Sequence, residues 1–179
     1  MIFNKTKIDG LYIIEPDVFS DERGSLIKPF HKETFIKNGL DFIFEESLYT
    51  LSKKGVLKGM HFQSPPKDQS KLVYVQSGAI LDVILDIRKK SPTYGQYISV
   101  ELSDKNHKMV YLPEGCAHGF LSLEDNSCVG YLQSKMLSKT DEGGVRLDSF
   151  GMDWGVKNPI ISTRDQAFPA LEDFKTPFI

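Results

Sequence analysis

Short apolar stretches punctuated by turn residues dominate this chain: Leu11 to Ile14, Ser25 to Phe30, Val56 to Gln63, Leu72 to Val75, Ala79 to Ile87, Tyr97 to Leu102, Lys108 to Leu112, Gly119 to Leu123 and Cys128 to Gln133. Many short strands at such spacing predict an all-β sandwich or barrel. The clearest alternation is Ile80-Leu81-Asp82-Val83-Ile84-Leu85-Asp86-Ile87. Side chains of a strand point alternately to its two faces, so Leu81, Val83, Leu85 and Ile87 share one face, and Asp82 and Asp86 share the other with Ile80 and Ile84. The first face is expected to pack; the second is mixed, as the wall of a ligand cavity would be. Turn signals at Ser91-Pro92-Thr93-Tyr94-Gly95, Leu112-Pro113-Glu114-Gly115 and Glu142-Gly143-Gly144 fit a jelly-roll barrel whose strands cross between two sheets. Helix is sparse, with one good candidate from His31 to Asn38 and a short turn near Thr163 to Ala167.

Composition narrows the classes. A chain of 179 residues at 40% hydrophobic content fits a single domain, residues 1–179, and no linker or repeat divides it. The formal charge of -2 provides no basic field for nucleic acid, although a small anion needs only a few local cations. The opening residues Met1-Ile2-Phe3-Asn4-Lys5-Thr6-Lys7 lack the apolar core of a signal peptide, and no apolar run approaches membrane-spanning length. The expected location is the cytoplasm, without a membrane partner. Cys116 and Cys128 lack CxxC spacing and read as reduced, structural thiols.

The segment Lys58-Gly59-Met60-His61-Phe62-Gln63-Ser64-Pro65 puts an imidazole mid-strand, with no second histidine near it in sequence. The chain has four histidines: His31, His61, His107 and His118. A three-imidazole metal site would take nearly all of them, including His107 in the polar turn Ser103-Asp104-Lys105-Asn106-His107, so transition-metal chemistry is set aside and no cofactor is expected. From the residues alone His61 is open to two readings, a proton-transfer group or a hydrogen-bonded core residue.

Six segments resemble the dTDP-4-dehydrorhamnose 3,5-epimerase family of nucleotide-sugar epimerases, which are cupin-like jelly rolls that work without metal. They are Phe19-Ser20-Asp21-Glu22-Arg23-Gly24, Val56-Leu57-Lys58-Gly59-Met60-His61-Phe62-Gln63, Lys71-Leu72-Val73, Asp82-Val83-Ile84-Leu85-Asp86-Ile87-Arg88, Ser91-Pro92-Thr93-Tyr94-Gly95-Gln96 and Pro113-Glu114-Gly115-Cys116-Ala117-His118-Gly119-Phe120. They stand in family order, and the match as a whole runs from about residue 5 to about 170. The resemblance implies proton abstraction beside the C4 ketone of a nucleoside-diphosphate 4-keto-6-deoxy sugar, followed by reprotonation on the opposite face. Such chemistry needs a base matched to neutral pH, a group for the developing oxyanion and an acid across the ring.

By that resemblance His61 is the base, since an imidazole with its ordinary pKa of about 6.5 can both take and release a proton near neutrality. Asp165, in Ile161-Ser162-Thr163-Arg164-Asp165, is its partner, with a solvated carboxylate or a helix cap as the other reading. Lys71 is matched to the enolate oxygen and Tyr131 to the acid of the far face; a surface lysine and a core tyrosine are the plain alternatives. His118, Asp82 and Gln63 are placed among the sugar-pocket residues, and Arg23 at the nucleotide. Lys58 stands where the family has a phosphate-contacting arginine, and strict alternation puts it on the face opposite His61 unless Gly59 bulges. Departures fall at recognition positions: Lys28, Glu46, Leu48 and Leu137. The substrate implied is a dTDP- or GDP-linked sugar, with C3, C5 or both inverted. A 3,4-ketoisomerase and a non-catalytic sugar-nucleotide binding module are the competing readings. The resemblance also implies a homodimer in which an N-terminal strand adds to its partner; Leu11-Tyr12-Ile13-Ile14 is the candidate, with an intrachain edge strand as the plain alternative.

Overall fold

The computed structural model describes residues 1–179 and is mostly β-sheet. In chain order the elements are β1 (Ile2–Lys5), β2 (Tyr12–Glu15), β3 (Val18–Asp21), β4 (Gly24–Ile27), α1 (Lys32–Lys37), β5 (Glu46–Ser52), β6 (Leu57–Gln63), β7 (Lys71–Ser77), β8 (Ala79–Asp86), β9 (Tyr97–Ser103), β10 (Met109–Leu112), β11 (Cys116–Ser122), β12 (Ser127–Gln133), β13 (Glu142–Gly144) and α2 (Thr163–Gln166). A six-stranded sheet runs β1-β2-β10-β7-β12-β5 and faces a five-stranded sheet, β13-β6-β11-β8-β9. From β5 onward the chain crosses between the sheets at almost every step, as a jelly roll requires. Both helices fall where the pattern predicts them.

Three apolar layers hold the sheets. Between them lie Val73, Ile80, Ile84, Val110, Phe120 and Val129, among others. The outer face of the six-stranded sheet packs Ile14, Leu72 and Met109 against Phe35 of α1 and Phe42. The outer face of the five-stranded sheet is covered by the late chain, where Val145, Leu147, Phe150 and Trp154 cover Val83, Leu85 and Ile87. Each such side chain taken from water contributes roughly 1.5–3 kcal/mol. Strand β8 is therefore buried on both faces, and its alternation separates two cores. Its two aspartates part company: Asp82 points between the sheets, whereas Asp86 accepts from Arg88, Ser91 and Thr93 at the strand end and organises that turn. Asp86 is no part of a cavity wall.

One expectation is corrected. Tyr12–Glu15 is an interior strand, paired to β1 on one side and β10 on the other, so its backbone groups are spent within the chain and cannot receive or join a partner. The unpaired edges of that sheet are β1 and β5. The separate hairpin β3–β4 stands away from both sheets, with Phe19 63% and Leu26 61% exposed. No helix is long and apolar enough to cross a membrane.

Candidate active site

A cavity of ≈ 270 Å³ opens between the sheets, walled by Lys58, His61 and His118 on one side and by Thr50, Lys71 and Tyr131 on the other. Strand β6 explains how two side chains of opposite parity reach one wall. Opposite β11, His61 pairs with His118 and Lys58 with Phe120, so three steps along β6 match two along β11 and one residue is extra. That residue is Gly59, with φ 129°, a region that favours glycine; a Cβ there would stand 2.5 Å from the Gly119 Cα. The bulge brings Lys58 to the His61 side, where its ammonium lies 5.7 Å from the Phe120 ring centroid.

Asp165 reaches the site from α2. Ser162 caps that helix by accepting from the Asp165 N–H, which leaves the Asp165 carboxylate free to point at β6. Its Oδ2 accepts from the Gly59 N–H at 3.2 Å and its Oδ1 lies 2.9 Å from His61 Nε2. Burial pushes this carboxyl up, but the hydrogen bond and charge of His61, with help from Gly59 and Ser162, outweigh it and hold the group at about 2. The cap alternative and the dyad are thus both true, the backbone of Asp165 serving one and its side chain the other. With Nε2 engaged, Nδ1 is the ring nitrogen of His61 left for chemistry.

His118 is directly opposite His61 in register, so the imidazole that is isolated in sequence has a neighbour in space. The two do not share a carboxylate: His118 Nε2 lies 2.6 Å from Asp82 Oδ1. Asp82 is fully buried beneath His118 and supports that ring from behind. No group of three or more His, Cys, Asp or Glu side chains is arranged to hold a metal ion.

On the opposite sheet the electrostatics differ. Burial pulls the Lys71 ammonium down to about 8, against the attraction of Glu142. Tyr131 is held far above the ordinary phenol range by burial and by the negative charge of Asp82. It meets the His118 ring edge-on at 5.9 Å.

Other expected residues are placed less directly. Gln63 touches the cavity, but its amide donates to Lys67 O at 2.7 Å and accepts from the Ser138 N–H at 2.6 Å, so it braces two loops. Arg23 lies outside this cavity, at the exposed turn of the β3–β4 hairpin, paired with Asp21. Lys28 is exposed and away from the cavity. Glu46 accepts from the Leu137 N–H at 2.6 Å, and Leu137 with Leu48 lines the cavity, so these departures form one structural unit. Four further residues at the site carry no signal in the hydrophobic pattern: Arg164 and Glu142, joined at 2.8 Å, and Gln69 and Gln133, whose buried Oε1 atoms have no partner. Arg164 alone was within reach of sequence reasoning, as the neighbour of Asp165. A larger hollow of ≈ 440 Å³ behind α2 shares only Asp165 and turns away from the imidazole; both of that carboxylate's oxygens are committed to β6.

Comparison with known proteins converges on one family. The model of the dTDP-4-dehydrorhamnose 3,5-epimerase family matches residues 5–173. The dTDP-4-dehydrorhamnose 3,5-epimerase of Methanothermobacter thermautotrophicus is 42% identical over 176 residues, covering 96% of this chain and 95% of that one. Among solved structures, the dTDP-6-deoxy-D-glucose-3,5-epimerase of Legionella pneumophila in complex with dTDP-4-keto-L-rhamnose superposes with a TM-score of 0.92 at 33% identity, over 97% of this chain and 94% of the other. A 3'-monoepimerase of Streptomyces bikiniensis in complex with dTDP-quinovose gives 0.89 at 33% identity, over 93% and 86%.

Proposed function

Since this chain belongs to the dTDP-4-dehydrorhamnose 3,5-epimerase family and is a nucleotide-sugar epimerase, we propose that it inverts C3 and C5 of a dTDP-linked 4-keto-6-deoxy sugar with His61 as base and Tyr131 as acid. One observation carries this reading: the imidazole and the phenol enter a single cavity from opposite sheets, as removal from one face of a sugar ring and return to the other demand. His61 Nδ1 takes the hydrogen beside the C4 ketone; Asp165 orients the ring and stabilises the imidazolium. The electron pair passes to the C4 oxygen, where the Lys71 ammonium, poorly hydrated in its cavity, stabilises charge that develops only in the transition state. Tyr131 returns a proton from the far face, chiefly at C5. His118, held by Asp82, is a fixed polar contact for the same oxygen or its neighbour, and Lys58 meets the diphosphate as a point charge without the planar fork of an arginine. The step is redox-neutral and calls for no cofactor, and we propose that it proceeds without metal, since no three His, Cys, Asp or Glu side chains stand together as a ligand set.

The relatives with bound dTDP-sugars support the choice of nucleotide, and the monoepimerase among them keeps single inversion as an outcome of the test. We propose a cytoplasmic homodimer of a one-domain chain, free of membrane and nucleic acid, in which the exposed β3–β4 hairpin reaches the partner copy and carries Arg23 to its nucleotide. The apolar side chains that this hairpin leaves in water support the idea. The test is incubation with dTDP-4-keto-6-deoxyglucose, and separately its GDP equivalent, in heavy water. Deuterium entering at C3 and C5 is the expected result. A carbonyl moved to C3 would make the protein a ketoisomerase, and binding without exchange would make it a sugar-nucleotide binder. Light scattering should give twice the chain mass.

A further inference from the structure

We infer that Arg164 is a positioning residue that sets how tightly His61 holds the proton it takes, as a counterweight to Asp165. The catalytic meaning of this rests on the epimerase reading; the geometry stands without it.

The valence of one nitrogen carries the argument. His61 Nε2 lies 2.9 Å from Asp165 Oδ1 and 3.0 Å from Arg164 Nη2. A carboxylate can only accept and a guanidinium can only donate. One ring nitrogen cannot satisfy both: bearing a hydrogen it donates to Asp165, and without one it accepts from Arg164. When Arg164 holds Nε2, the neutral ring carries its hydrogen on Nδ1, which then cannot take a proton from carbon. When Asp165 holds Nε2, Nδ1 is bare and basic. The two residues favour opposite tautomers, and because a guanidinium stays charged throughout, Arg164 also opposes the imidazolium that Asp165 favours. Asp165 acting alone would make a base that keeps its proton. The opposed pair makes one that lets it pass to solvent between half-reactions.

The guanidinium is held at this post. Its Nη1 donates to Glu142 Oε2 at 2.8 Å, its Nε to Asp165 Oδ1 at 3.3 Å, and it lies 5.9 Å from the Phe168 ring centroid, a ring that meets His61 at 5.7 Å. The Arg164 side chain is 53% exposed, so core burial does not account for its place. The remaining charged or titratable groups facing the cavity are Lys58 on the same strand as His61, His118 on β11, and Lys71 and Tyr131 on the opposite sheet. None of them is hydrogen-bonded to Arg164, whose side-chain partners are Asp165, Glu142 and His61.

Nitrogen-15 NMR of the histidines in the substrate-free chain, followed against pH, reads the His61 titration and tautomer directly; the signal is assigned by its loss in His61→Asn. Arg164→Gln should raise the His61 midpoint by about one pH unit and move the neutral ring toward the Nε2–H form. Arg164→Lys should restore most of the midpoint, and Glu142→Gln should lower it. In deuterium-exchange assays the acid limb of kcat/KM should follow the midpoint, with KM changed less than about twofold. An unmoved midpoint in a folded Arg164→Gln protein overturns the inference. So does a raised KM with no shift of midpoint, which would make Arg164 a diphosphate ligand instead. Absence of exchange by the parent protein would sink the epimerase reading and leave the titration result untouched.

Discussion

Two histidine–aspartate pairs lie side by side in this barrel, in register on adjoining strands, and they are built for different tasks. Both rings offer Nε2 to a carboxylate, at 2.9 Å for His61 and 2.6 Å for His118. His61 is 22% exposed, and its aspartate is also held by a backbone N–H and by Arg164. His118 is 5% exposed over an aspartate that is fully buried and has one oxygen without a partner. A carboxylate fixes the direction of an imidazole in either setting. Of the two, the His61 pair is the one open to solvent and in contact with a cation, which on the proposed reading lets a proton arrive and leave.

The sharpest way to break this contrast is His61→Ala, which should reduce deuterium exchange at C3 and C5 by about 10³-fold or more, with the chain still folded by circular dichroism. Next, Tyr131→Phe should lower exchange or inversion at C5 by about 10²-fold while C3 exchange survives, measured position by position in the same spectra. Equal loss at both carbons would deny Tyr131 its separate role. His118→Asn should reduce turnover only about tenfold, the worth of one ordinary hydrogen bond rather than of a base. A loss as large as that of His61→Ala would erase the distinction between the two pairs.

The smallest effect comes from the opposite wall. The Lys71 cation is full below about 8 and lost above it, so activity should halve as pH rises through that value. Over the interval from about 8 to 10.4 the unfolded chain binds more protons at this lysine than the folded one, so this group makes the fold more stable as pH rises. A decline of activity accompanied by a steady or rising melting temperature would therefore separate lysine deprotonation from unfolding.

How much of this was legible beforehand follows from where each signal lives. The strands of the two cores alternate or run apolar, and β8 in particular declares its faces; the two helices carry start signals. Strand β5 does not read as a strand because its pattern is inverted: Tyr49 and Leu51 face water at 66% and 63% exposed, while Thr50 and Ser52 point inward. Strand β13 is three residues with two glycines, too short for any period. At the site, the resemblance names His61, Lys71, Tyr131 and Asp165, and the geometry gathers His61, Lys71 and Tyr131 around one cavity with Asp165 behind the imidazole. Arg164, Glu142, Gln69 and Gln133 were missed because charged and amide side chains in short segments look like ordinary surface. The pairing of Glu142 with Arg164 depends on a contact between separate segments of the chain. The position of Arg23 could not be read either, because the hairpin that bears it belongs to neither sheet.

The touching backbones of Gly59 and Gly119 have one more implication. A methyl group at Gly59 would collide with the Gly119 Cα at 2.5 Å, and one at Gly119 would meet the Lys58 carbonyl oxygen at 2.6 Å. These two positions therefore work as a vernier between strands: they fix by how much one slides past the other, and hence where Lys58 stands relative to His61. The contact of Glu46 with the Leu137 N–H at the cavity rim has no such backbone constraint, so side chains can be exchanged there without shifting one strand against the other.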